Sequence, residues 1–111
     1  MATFSSHLLN SINGTHADGV KVIIYQINSN GDKKKNFESE TDDSGRILKE
    51  FNLTKKDCLC DYEMLCKTGY YFSEERIVSE IIVKFKMSAP NKKYHLPIII
   101  SPNGYSIWWS K

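Results

Sequence analysis

Three histidines and one arginine following a turn are the residues of this chain best suited to reaction chemistry. The histidines are His7, His16 and His95, and the arginine is Arg46, which follows Asp42-Asp-Ser-Gly45. An imidazole exchanges a proton near neutral pH, so it can take one from water or give one to a leaving group. A guanidinium offers a rigid, permanently charged fork to an oxygen on which negative charge develops. The three cysteines, Cys58, Cys60 and Cys66, form a CxC with a third thiol farther on. Zinc would need four ligands, and neither a second CxxC nor a nearby histidine completes a set, so no metal site and no cofactor are expected. The odd count fits reduced thiols packed as small apolar residues.

The elements that hold these residues read mostly as strands. His7 lies in a strand-like stretch, His7-Leu-Leu-Asn10, ahead of the turn pair Asn13-Gly14. His16 stands beside Ala17-Asp-Gly19 and reads as a solvated loop residue. His95 lies inside Tyr94–Ser101, where alternation puts it on one face with Pro97, Ile99 and Ser101. A histidine in a strand rich in isoleucine must find hydrogen-bond partners or water. By residue type alone, His95 reads as a satisfied structural residue and His7 as a surface one.

Further strands are expected at Val20–Ile27, Phe37–Thr41, Arg46–Phe51, Tyr62–Thr68, Ser79–Met87 and Tyr105–Trp109, from β-branched, aromatic and alternating residues. Asn28-Ser-Asn-Gly31 and Asp42-Asp-Ser-Gly45 punctuate them. Lys33-Lys-Lys35 reads as a solvated hairpin tip rather than a phosphate site. Thr54, with Asp57 three residues on, could cap a short helix over Lys55–Leu59. Seven or eight short strands and one short helix make the chain all-β, an antiparallel β-sandwich over residues 1–111 as a single domain.

The last hairpin constrains the site. With Pro102-Asn103-Gly104 as the loop, in a type I turn with a bulge, His95 faces Lys111. With a two-residue loop it faces Ser110 instead. The first register is the favoured one, and both bring the end of the chain beside His95. Pro97 suggests an edge strand or a bulge, because its ring removes a ladder N–H. An apolar edge that carries Trp108 and Trp109 nearby is expected to need cover from another subunit.

The stretch Lys93-Tyr-His-Leu-Pro-Ile-Ile-Ile-Ser-Pro-Asn-Gly-Tyr-Ser106 resembles the C-terminal signature of the transthyretin-related family, the 5-hydroxyisourate hydrolases. His7, Asn10, Gly14 and Ala17-Asp-Gly-Val20 look like its N-terminal signature. Thr41-Asp-Asp-Ser-Gly-Arg46, Tyr62-Glu63 and Thr68-Gly-Tyr-Tyr-Phe72 are similar to its middle segments. The resemblance implies a transthyretin-like sandwich, assembled as a homotetramer, with sites at subunit interfaces. It implies His7, Arg46 and His95 as catalytic residues, and Ser106, Trp108 and Lys111 beside the substrate. The implied reaction is metal-free opening of the lactam ring of 5-hydroxyisourate. One histidine would activate water while the other orients it or protonates the leaving nitrogen. Arg46 would stabilise the carbonyl oxygen or orient the urea-like edge of the ring. The family's thyroid-hormone carrier branch lacks this histidine–arginine set. The tail departs from the hydrolase pattern Tyr-Ser-Thr-Tyr-Arg-Gly-Ser. Here Trp109 replaces the arginine and Lys111 the final serine, so another small lactam or amide, or ligand binding alone, is the alternative.

Composition sets the limits. Only 111 residues leave little room for a deep private pocket. Fifteen basic against 13 acidic residues give a net charge of +2, too balanced for a chain held to nucleic acid by counterion release. No apolar run approaches the ~20 residues of a membrane helix. The N-terminal residues have neither a basic start nor an apolar stretch, so a cytoplasmic setting is expected. A small polar molecule suits this surface better than a polymer.

Overall fold

A computed structural model describes all 111 residues as eight strands in two four-stranded sheets. The strands are β1 (Ala2–Asn10), β2 (Lys21–Ile27), β3 (Lys33–Glu40), β4 (Arg46–Phe51), β5 (Asp61–Lys67), β6 (Ile81–Lys86), β7 (Lys93–Ser101) and β8 (Gly104–Ile107). One sheet has the order β4-β1-β7-β8 and the other β3-β2-β5-β6. The all-β sandwich expected from the spacing is therefore present, with eight strands. One pairing differs from a wholly antiparallel arrangement, since β1 and β7 run parallel over Thr3–Asn10 and Lys93–Ile100. The chain crosses between the sheets several times before β7 returns beside β1, and a return after such a crossover can run parallel.

Alternation decides what each sheet buries. Along β1, Ala2, Phe4, Ser6, Leu8 and Asn10 point inward, while Thr3, Ser5, His7 and Leu9 face out. Phe4 stacks on Phe85 across the sandwich at 5.0 Å between ring centroids, and Tyr62 lies 5.8 Å from the same ring. The one polar side chain that β1 buries completely is satisfied, because the Ser6 hydroxyl donates to the Leu96 carbonyl at 2.6 Å. Ile81, Val83, Phe85 and Met87 share the inward face around β6, as their alternation predicts.

Three local expectations are corrected. Lys33-Lys-Lys35 is not a hairpin tip but the start of β3. Lys33 reaches buried Glu63 at 2.8 Å and covers the Tyr25 ring, while Lys35 pairs with Glu38 at 2.9 Å. The helix after Thr54 shrinks to one 3-10 turn, Asp57–Leu59. Its cap is nonetheless reciprocal: the Asp57 N–H donates to Thr54 Oγ1 at 3.1 Å, and the Thr54 N–H donates to Asp57 Oδ2 at 2.9 Å. Third, β7 is an interior strand between β1 and β8. Pro97 is tolerated there because the β8 ladder covers only Ile98–Ser101, so its missing N–H falls just beyond the ladder.

The thiols are free, with Cys60 and Cys66 buried. Burial pushes the Cys66 thiol up to about 12, which keeps it protonated and unreactive.

Candidate active site

The outer face of the β4-β1-β7-β8 sheet gathers the candidate residues into a grid. In one row Arg46 stands opposite His7, and His7 beside Pro97. In the next, Leu48 is opposite Ser5, Ser5 beside His95, and His95 bridged to Ser110. In the third, Glu50, Thr3 and Lys93 line up. A shallow groove of about 610 Å³ runs over these rows, lined by Ser5, Asp42, Arg46, Lys93 and His95 among others. His7 stands at its margin, directly across from Arg46.

Each side chain is held by a local device. Asp42 Oδ1 accepts from the N–H groups of Ser44 and Arg46, both at 2.9 Å, so the turn before Arg46 closes on its own carboxylate. The Arg46 N–H is the leading cause that holds the Asp42 carboxyl below the usual range. Gly45 adopts φ +72°, and its carbonyl accepts from the Leu8 N–H at 2.8 Å. A Cβ there would lie 2.5 Å from the Leu8 carbonyl oxygen, so the turn can dock on β1 only with glycine. His95 is held through Nδ1, 2.7 Å from Ser5 Oγ.

His7 is held differently. Its Nε2 lies 2.9 Å from Nδ1 of His16, and the two rings meet edge to edge, 5.0 Å between centroids with a 29° interplanar angle. Burial, then the Arg46 charge, then His16 lower the His7 pKa from its ordinary value, against a contact with the Ser44 carbonyl that favours the charged ring.

The C-terminal hairpin takes the shorter register. Ser101 pairs with Gly104 across Pro102-Asn103, and the Ser110 N–H donates to the His95 carbonyl at 2.9 Å. The favoured register, with Lys111 opposite His95, is therefore corrected by one residue. Ser106 stands opposite Ile99, on the His95 side of the strand, and alternation places Trp108 and Ser110 on that side too. Trp109 turns the other way and stacks on Tyr94 at 6.0 Å. The Lys111 ammonium lies 4.8 Å over the Trp109 ring, with Lys92 at 5.2 Å, so the tail's cation packs on an aromatic ring rather than beside His95.

Sequence reasoning missed Ser5 and the pairing of His16. The parallel register that brings Ser5 beside His95 leaves no local signal. His16 did leave one: a tight turn about Asn13-Gly14 folds residue 16 back against residue 9, one alternation from residue 7. No three histidine, cysteine or acidic side chains come together as a metal-ligand set.

The sequence pattern of the HIUase/Transthyretin family matches residues 4–109. The chain belongs to that family. Across 107 residues it is 36% identical to a 5-hydroxyisourate hydrolase of Salmonella dublin, covering 94% of this chain and 77% of that protein. The structure of Klebsiella pneumoniae 5-hydroxyisourate hydrolase superposes with a TM-score of 0.79 at 24% identity, over 98% of this chain and 99% of that one. Transthyretin from Sparus aurata gives a TM-score of 0.82 at 20% identity, over 96% and 95% of the two chains. The fold is thus shared with both a 5-hydroxyisourate hydrolase and a transthyretin.

Proposed function

We propose that this protein is a 5-hydroxyisourate hydrolase. It would open the lactam ring by adding water, the step of urate breakdown that leads to 2-oxo-4-hydroxy-4-carboxy-5-ureidoimidazoline. The observation that carries this reading is the convergence of Arg46 and His95 on one groove, with His7 opposite Arg46, in a chain of this family. Water adds to the lactam carbonyl carbon, charge gathers on the carbonyl oxygen, the C–N bond breaks, and the nitrogen leaves with a proton. Arg46 faces the developing oxyanion or the urea-like edge of the ring. His95 is the better-placed base: Nδ1 is engaged by Ser5, which leaves Nε2 toward water. His7 serves the second proton position. Ser106 and Trp108 border the substrate from β8 and the tail, and Lys111 adds positive charge to the terminus beyond them.

The groove is open in one chain, and exposed apolar residues surround it: Leu48 at 64%, Trp108 at 46% and Ile99 at 36%. That supports a homotetramer in which a second copy closes each site. The free thiols fit a cytoplasmic setting.

The test adds freshly prepared 5-hydroxyisourate to the protein and follows its ultraviolet absorbance. Decay should far outrun the spontaneous reaction. A background rate with saturable binding of the substrate would instead favour the second reading, a binding protein or a hydrolase of another small lactam or amide. That reading has one observation behind it, namely Trp109 at the arginine position of the family's usual ending, turned onto Tyr94.

A further inference from the structure

His16 is the chemically capable residue that the reading above leaves without a task. It is exposed, yet its neighbours fix its place. His16 bridges to Leu9, the Ala17 N–H donates to the Leu8 carbonyl at 2.9 Å, and Thr41 Oγ1 donates to the Ala17 carbonyl at 2.7 Å. The loop is thereby tied to β1 and to the turn that presents Arg46. The His16 ring meets the His7 ring edge to edge, with Nδ1 at hydrogen-bond distance from Nε2.

A bond between two imidazole nitrogens needs one N–H and one lone pair. Two neutral rings satisfy it, and so does a pair with one extra proton, where the bond is charge-assisted. With both rings charged, two N–H groups oppose each other and the bond is lost. The other groups facing His7 sharpen this limit. Arg46 from β4 and His95 from β7 disfavour a second charge, while Asp42 in the turn opposes them.

We propose that His16 is a positioning residue for His7, the two rings forming one proton-sharing pair that holds the His7 ring in place while the pair carries at most one charge. The pair connects the site's margin to solvent, because His16 is exposed. The inference rests on the reading of His7 as a site residue, but the pairing itself can be observed without any substrate.

Nitrogen NMR of the histidine rings across pH, on the full chain, is the first arm. The His7 ring should titrate in two steps in the wild type and as a single site in His16→Ala. A His7 titration of the same form in both proteins overturns the proposal, whether or not the protein hydrolyses 5-hydroxyisourate. The second arm is the pH profile of kcat/KM. His16→Ala should shift the basic limb, which His7 sets as donor of the second proton, by about one unit, the coupling at which two groups titrate as a pair. His16→Asn, which keeps a hydrogen-bonding side chain toward His7, should recover part of the rate lost in the alanine variant. A basic limb that stays in place in His16→Ala contradicts the proposal. A protein with coupled rings but no hydrolase activity supports the pair and defeats the functional reading, so the two failures are distinct.

Discussion

Ser5 places a hydroxyl beneath His95 where alternation alone would have left it a solvent-facing strand residue. Its Oγ lies 2.7 Å from Nδ1, which fixes the ring; with Nδ1–H donating to Oγ, the Nε2 lone pair would be left for water in the proposed reaction. Ser5→Ala should therefore lower kcat by about tenfold, roughly the 1.4 kcal/mol of one hydrogen bond, with little change in folding stability. Steady-state kinetics beside a denaturation curve checks it. His7 makes a prediction about stability. Its pKa is lowered in the folded state, so the unfolded chain binds more protons as acid is added. The contribution of neutral His7 is full above the ordinary value of 6.5 and is lost as pH falls through the lowered folded value. Thermal unfolding between about pH 8 and about pH 5 should show a decline in Tm that is shallower in His7→Gln. Equal slopes would mean that His7 does not couple to folding. The histidines of the proposed site could be named from the sequence because they sit in long family motifs, whereas the groups that hold them come from strand neighbours remote in the chain.

At the scale of elements, the site depends on the turn Asp42–Gly45 docking against β1. Gly45 combines a positive φ with a carbonyl oxygen 2.5 Å from any added Cβ. Gly45→Ala should cost roughly 2 kcal/mol or more in chemical denaturation, and reduce activity beyond what the lost stability explains, because Arg46 follows directly. Most strands were legible because period-two alternation is strong in β6, β7 is a β-branched run bounded by turns, and β4 matched to the residue. Two features were not. Strand β1 extends back to Ala2, since the outward Thr3 and Ser5 and the buried Ser6 mask the apolar inner row of Ala2, Phe4 and Leu8. The register of β7 and β8 was ambiguous because Pro102-Asn103-Gly104 contains both a two-residue and a three-residue loop, and only the pairing of Ser101 with Gly104 decides between them. That single residue moves Lys111 away from His95 and puts Ser110 there.

The whole molecule exposes its reactive face. Leu48 lines a groove that is open in one chain, and exposed Ile99 and Trp108 lie on the same outer face, while the opposite side of the sheet is buried in the core. Sedimentation should give a particle near four times the 12.8 kDa chain mass. Leu48→Glu should shift it toward smaller species and lower activity with it, since like charges would meet across a two-fold interface. A fully active monomer would remove the shared site from the account. Sequence patterning could hint at this need for a partner through its tandem tryptophans, but one of them, Trp109, is instead occupied by Tyr94 within the chain.

The central claim is that Arg46, His7 and His95 form a hydrolytic site for 5-hydroxyisourate. Ultraviolet decay of fresh 5-hydroxyisourate, with the wild type and Arg46→Ala measured side by side at matched folded concentration, tests it most directly. The account predicts rapid decay with the wild type and a loss of about a hundredfold or more in the variant, the scale of removing a donor to an oxyanion. Wild-type decay at the spontaneous rate, or an Arg46→Ala variant as fast as the wild type, would contradict it.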